Sequence, residues 1–232
     1  MPSNANIVLV HGAWADGSSW SRVIPLLQEQ GYRVMAAQIP LTSLSDDVAV
    51  TRRALSLQKG PTVLAAHSYG GAVISIAGAG APDVISLVYV AAFAPDAGES
   101  LNDLNGKPGP GQASIRPDDQ GFLWIDQEGF HEAFAADVDR VQSRVMAAVQ
   151  KPIAARIFGE RVADPAWRSK PSSYLVSEND RMILPEIQRS MAERMGANII
   201  SLPASHASMV SRAAAVAQAI MDAAVMRAGA PG

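Results

Sequence analysis

Residues Ala66-His67-Ser68-Tyr69-Gly70-Gly71 follow the apolar run Pro61-Thr62-Val63-Leu64-Ala65 and precede Ala72-Val73-Ile74-Ser75-Ile76-Ala77. A β-rich apolar run that breaks into a small-residue turn and then into a helical pattern places Ser68 on a sharp strand-to-helix bend. At such a bend the central residue is forced into a strained backbone conformation and its side chain is pushed out beyond the sheet edge. This geometry requires residues without bulk two places before and two after, and Ala66 and Gly70 meet that requirement. The other reading of the hexapeptide is an ordinary serine before a glycine-started helix.

Working outward, apolar β-rich runs at 7–10, 32–39, 62–66, 85–92, 172–176 and 199–202 alternate with helical patterns, which predicts βαβ units around a parallel sheet of six strands. A helix is expected over 19–30 with Val23, Leu26 and Leu27 on one face and Gly31 as its left-handed stop. A second begins near Ser45, N-capped by serine, with Asp46 and Asp47 at its positive end. Pro185 opens a third that Gly196 closes, and the last runs over 212–227. With 48% hydrophobic and 18% charged residues, the composition suits a sheet buried on both faces.

The chain of 232 residues has no linker-like segment, so it reads as one domain with an insertion. Texture changes over 96–165, which opens with the Gly/Pro-rich 105–111 and carries Phe122, Trp124, Phe130, Phe134 and Phe158. The expected organisation is a core of 1–95 and 166–232 with an inserted helical cap, or lid, of 96–165. More than half of those aromatics are expected to form the cap's own core, leaving one or two to face a ligand.

Net charge is −3 with no basic block, which argues against nucleic acid or an anionic membrane as partner. No cysteine is present, which excludes disulfides, thiolate metal sites and a cysteine nucleophile. No apolar run is long enough for a signal h-region or a membrane span. A soluble, cytoplasmic protein without metal or organic cofactor is expected, with a homodimer left open.

A serine hydroxyl needs a base within hydrogen-bond reach, itself oriented by a carboxylate. Four histidines compete for that role. In a sheet of this kind the partners follow the serine in the order acid, then base, on loops after later strands. Asp180 follows the run ending at Val176, and His206 follows the run ending at Leu202. Glu178 competes with Asp180, which has Arg181 as a neighbouring ion-pair partner. His67 is assigned to packing, His131 to a solvated surface, and His11 to organising the loop after the first strand. Two backbone N–H groups should bind developing negative charge, and these are assigned to Tyr69 and to Ala13 in His11-Gly12-Ala13-Trp14. Gly12, Trp14, Phe122, Trp124, Phe134 and Met209 complete the candidate site as substrate-contacting residues.

With Val8-Leu9-Val10-His11-Gly12-Ala13-Trp14, His67-Ser68-Tyr69-Gly70-Gly71, Val88-Tyr89-Val90-Ala91-Ala92-Phe93-Ala94-Pro95 and Ser205-His206-Ala207-Ser208-Met209 in place, the chain resembles the α/β-hydrolase superfamily. It is most similar to the compact branch of plant methylesterases, hydroxynitrile lyases and bacterial carboxylesterases. The resemblance implies a three-layer, mostly parallel six-stranded core, Ser68, Asp180 and His206 as a triad, and Ala13 and Tyr69 as oxyanion donors. It implies a serine hydrolase that cleaves a small to medium ester through an acyl-enzyme. Two alternatives share the scaffold: a hydroxynitrile-lyase-type lyase, for which the lysine some members carry past the histidine is replaced by Met209-Val210-Ser211-Arg212, and a receptor that binds without hydrolysis.

Overall fold

The computed structural model describes residues 5–106 and 108–225. Strands β1 (Asn6–Val10), β2 (Arg33–Ala37), β3 (Thr62–His67), β4 (Val84–Val90), β8 (Ser172–Ser177) and β9 (Asn198–Leu202) form one parallel sheet in the order β2-β1-β3-β4-β8-β9. The expected six-stranded parallel sheet is therefore present. β1, β3 and β8 are buried along their whole length, as the unbroken apolar runs of doubly covered strands require.

From β1 the chain steps outward to β2 through α1 (Ile24–Glu29), then crosses back to β3 through α2 (Leu44–Ser56) and continues through α3 (Gly70–Ala77) to β4. Right-handed crossovers running in opposite directions put their helices on opposite faces. Accordingly α2 packs on α3, and α1 packs on α9 (Ala213–Val225), which also covers β3 and β4. The reversal of direction lies between β1 and β3, and the crevice beyond their carboxyl ends is where open sheets of this kind hold ligands.

Several expected elements are altered. The helix foreseen over 19–30 is a 3₁₀ turn, Gly17–Trp20, followed by the short α1. Asp16 caps the turn by accepting from the Ser18 amide at 2.8 Å. Pro25 at the start of α1 has no N–H to carry one helix through from the other. Gly31 does adopt positive φ after α1. The cap of α2 is Ser43, whose Oγ accepts the Asp46 amide at 3.0 Å, so the helix starts before the expected Ser45. Asp46 and Asp47 both lie in its first turn, as expected, and Asp47 is fully buried. α7 (Pro185–Arg194) follows its expected limits. α9 is preceded by the single turn α8 (Ser208–Ser211), and the foreseen end at 227 lies outside the described residues.

The segment between β4 and β8 departs most from expectation. It holds α4 (Leu101–Leu104), α5 (Phe130–Phe134) and α6 (Arg140–Val149), but also an antiparallel sheet of β5 (Ile115–Pro117), β6 (Phe122–Ile125) and β7 (Ile153–Ala154). The hairpin is turned by Asp118, whose carboxylate accepts the amides of Gln120 and Phe122, both at 2.9 Å. Asx-turn chemistry of this kind closes a loop without hydrophobic periodicity. The segment is therefore mixed, not purely helical.

Candidate active site

Ser68 stands immediately after β3 with φ +53°, a left-handed conformation that a serine holds only where its surroundings enforce it. The enforcement is visible on both sides of the turn. The Ser68 amide donates to the Val90 carbonyl at 3.2 Å, and the Ser68 carbonyl accepts from Gly71 and Phe93. A Cβ at Gly70 would lie 2.7 Å from the His11 carbonyl oxygen and 3.3 Å from the Ala66 Cβ, so glycine is required there and only a small residue fits at 66. A Cβ at Gly12 would approach the Ser68 Cβ to 2.7 Å, which leaves glycine alone able to bring the loop after β1 this close.

His206 Nε2 lies 2.9 Å from Ser68 Oγ, and His206 Nδ1 lies 2.6 Å from Asp180 Oδ2. All three residues are buried. Asp180 Oδ1 accepts the amides of Met182 and Ile183, and Oδ2 accepts from Gln188 Nε2 as well as from His206. With both oxygens occupied by donors, the carboxylate is fixed in the orientation that holds the imidazole. Gln188 was missed by the sequence reading; its only signal is a polar residue on the inward face of the helix opened by Pro185. Glu178, the competing acid, is turned instead to Arg189.

The two amides assigned to anion binding show why they are available. Neither Ala13 nor Tyr69 donates its N–H to an acceptor among the described residues. In a trans peptide the C=O and N–H point in opposite directions, and no cis bond is present among the described residues. The Ser68 carbonyl is held by two amides on one side, so the Tyr69 N–H faces the other. The Gly12 carbonyl is held by His11 Nδ1–H at 2.9 Å, which likewise turns the Ala13 N–H away from His11. The tautomer is fixed because the Ile39 amide donates to His11 Nε2 at 3.2 Å. Burial lowers the His11 pKa to about 4, keeping the ring neutral.

The remaining expected residues divide. Ala13, Trp14, Ser68, Tyr69 and His206 line one cleft together with Phe93, Asn105, Gln112, Ile115, Phe158, Met182 and Ile183. Trp14 is held by its indole N–H donating to the Leu123 carbonyl at 2.9 Å. Gly12, Phe122, Trp124, Phe134 and Met209 do not line that cleft. Trp124 is part-exposed with its indole N–H on Asp118, because the unforeseen hairpin turns it outward. Phe134 is fully buried behind the site, its ring 4.8 Å from that of His206, and Met209 is buried in α8. Phe158 supplies the aromatic wall of the inserted segment in their place.

His67, assigned to packing, is fully buried, and it packs against the site itself: its Nε2 donates to the His206 carbonyl at 2.9 Å and its ring lies 4.6 Å from the His206 ring. Burial, with the neighbouring imidazole, pushes its pKa well below the ordinary range. His131 is not a solvated surface residue, its side chain being only 16% exposed. Among the described residues no group of three or more His, Cys, Asp or Glu is arranged to hold a metal. No helix among them is long and apolar enough to cross a membrane.

The model of the alpha/beta hydrolase family matches residues 7–219. A pyrethroid hydrolase of Sphingobium wenxiniae is 30% identical, covering 94% of this chain and 86% of its own. Methylesterase 8 of Arabidopsis thaliana is 25% identical over 84% of this chain and 79% of its own. The crystal structure of a pyrethroid hydrolase from Sphingobium faniae superposes with a TM-score of 0.83 at 25% identity, covering 95% of this chain and 97% of that one. By fold, by the strained serine turn and by these matches, the chain belongs to the alpha/beta hydrolase family.

Proposed function

We propose that the protein is a serine carboxylesterase that works through an acyl-enzyme, with Ser68 as nucleophile, His206 as general base and acid, and Asp180 as the carboxylate that orients it. The observation that carries this reading is the continuous hydrogen-bond chain from Asp180 through His206 to Ser68, ending in a cleft edged by two undonated amides. Relatives named as a pyrethroid hydrolase, a carbendazim hydrolyzing esterase and plant methylesterases support the esterase class.

In this mechanism His206 Nε2 takes the Ser68 proton as Oγ attacks the ester carbonyl, and the imidazolium is stabilised by Asp180. Charge on the carbonyl oxygen is met by the N–H groups of Ala13 and Tyr69. The imidazolium returns its proton to the leaving alcohol, and water repeats the sequence on the acyl-enzyme. Residues 96–165 act as the cap: Ile115 and Phe158 stand over the cleft with Trp14 and exclude water from it. The apolar walls favour esters with an aryl or alkyl group of modest size, and the chemistry calls for no metal or organic cofactor.

The test is turnover of p-nitrophenyl acetate by the purified protein and by Ser68→Ala. The expected result is hydrolysis by the first and none above background by the second. Turnover that survives Ser68→Ala overturns the assignment.

A further inference from the structure

One buried acid lies outside this machinery. Asp47, on the first turns of α2, is fully buried, and its two oxygens have separate partners: Oδ2 accepts the Tyr69 hydroxyl at 2.6 Å and Oδ1 accepts the Leu41 amide at 2.8 Å. A buried carboxylate is costly unless satisfied, and its retention in an apolar core asks what it holds in place. Tyr69 is the residue whose own amide edges the cleft next to Ser68. Leu41 sits at φ +64° and its carbonyl accepts the Ala154 amide of β7 at 2.9 Å. Two residues earlier, the Ile39 amide holds His11, and the Ile39 carbonyl accepts Lys151 Nζ at 2.5 Å.

We propose that Asp47 is a positioning residue for the Tyr69 amide: by anchoring the phenol at the far end of the side chain it fixes the rotation of the Ser68–Tyr69 peptide, and through Leu41 it ties that setting to the inserted segment. The Tyr69 ring is buried and its hydroxyl is the end farthest from the backbone, so a bond there restrains the side chain at both ends. A peptide already held by Gly71 and Phe93 on its carbonyl then has little freedom left. Oxyanion binding depends on such alignment, because a donor turned by tens of degrees loses most of its hydrogen bond.

The proposal rests on the esterase reading, and the experiment separates the two. Tyr69→Phe removes one oxygen and keeps the amide. Asp47→Asn keeps the shape but leaves either the Tyr69 hydroxyl or the Leu41 amide without an acceptor. Each single variant and the double variant are assayed on p-nitrophenyl acetate below their melting temperatures, followed by circular dichroism. Each single change is expected to lower kcat roughly tenfold, less than loss of a whole oxyanion donor, with KM within about twofold. The double variant should fall no further than the worse single, since both act on one linkage. Folded Tyr69→Phe with wild-type kcat, a loss carried by KM alone, or multiplying losses would overturn the proposal. If Asp47→Asn fails to fold, Tyr69→Phe alone decides. Unchanged kcat in Tyr69→Phe alongside an inactive Ser68→Ala rejects the positioning role and leaves the esterase reading standing, whereas absence of wild-type turnover rejects both.

Discussion

The carboxyl edge of the parallel sheet and the inserted segment over it meet at one cleft, yet they obey different rules. At the sheet edge key side chains are set by backbone geometry within a few residues: Ser68 at φ +53° on its own turn, and Asp180 wrapped by the amides of its own loop. In the inserted segment, position is set by contacts far apart in sequence, such as the Trp14 indole on Leu123, the Ala154 amide on Leu41 and the Gln112 side chain on the Met182 carbonyl. The difference teaches where rate and where selectivity reside. On the proposed function, the sheet edge carries the chemistry and the remotely held segment shapes what reaches it.

The largest expected effects break the edge. Ser68→Ala and His206→Ala should each cost on the order of 10⁶ in kcat, as triad deletions do in a measured serine hydrolase. Asp180→Asn should cost on the order of 10⁴, because the base loses its tautomer but remains in place. Steady-state kinetics on one ester, with melting temperatures showing intact folds, checks all three.

Next in size is a change of backbone space at the same edge. Gly70→Ala sets a Cβ 2.7 Å from a backbone oxygen that cannot move aside cheaply. Overpacking of this kind costs about 1–3 kcal/mol. Urea denaturation should show that loss together with loss of activity, and a fully stable, fully active Gly70→Ala would show the edge to be more pliant than described.

A smaller effect sharpens the contrast from the other side. Phe158→Ala, in the wall of the cleft, should shift the ratio of kcat/KM between p-nitrophenyl acetate and a bulky aryl ester by on the order of tenfold or more, in line with the about 1–3 kcal/mol that pocket-filling groups contribute to discrimination. Trp124→Ala, whose indole faces Asp118 outside the cleft, should leave that ratio unchanged. Reversed outcomes would return Trp124 to the substrate wall.

This contrast also explains how much was legible in the sequence. The sheet, the Ser68 turn and the loops bearing Asp180 and His206 were readable because periodicity and small residues around a turn are local signals. Gln188 behind Asp180, and Phe158 in preference to Phe122, Trp124 and Phe134, were not. Which aromatic of the inserted segment faces the cleft depends on how the hairpin of β5 and β6 is turned, and that is set by Asp118 and by the Trp14 indole on the Leu123 carbonyl 109 residues away, whereas Gln188 reaches Asp180 from a helix position that no local sequence signal marks. The inward turn of Asp47 was hidden similarly, because at an N-terminal helix position an acid is ordinarily read as a dipole partner.

The smallest expected effect lies where the two regions join. Burial lowers His11 from 6.5 to about 4, so the unfolded chain takes up this proton first and stability is lost as pH falls from 6.5 towards 4. Burial raises Asp47 from 3.8 to about 6, so the folded state takes up that proton first and stability is gained as pH falls from 6 towards 3.8. The two contributions are opposite in sign over nearly the same window. Asp47→Asn removes the second, so its melting temperature should drop more steeply than that of the wild type between pH 6.5 and 4.5. Parallel profiles would contradict the raised pKa of the buried Asp47.

The central claim, that Ser68 is made nucleophilic by His206 and forms the covalent intermediate, is tested most directly by where an electrophile lands. The wild type, Ser68→Ala and His206→Ala are treated with a small phosphonofluoridate and the digests are mapped by mass spectrometry. The account predicts one adduct, on the peptide carrying Ser68, formed rapidly in the wild type, far more slowly in His206→Ala and not at all in Ser68→Ala. An adduct on a different residue, or equal labelling rates with and without His206, would contradict it.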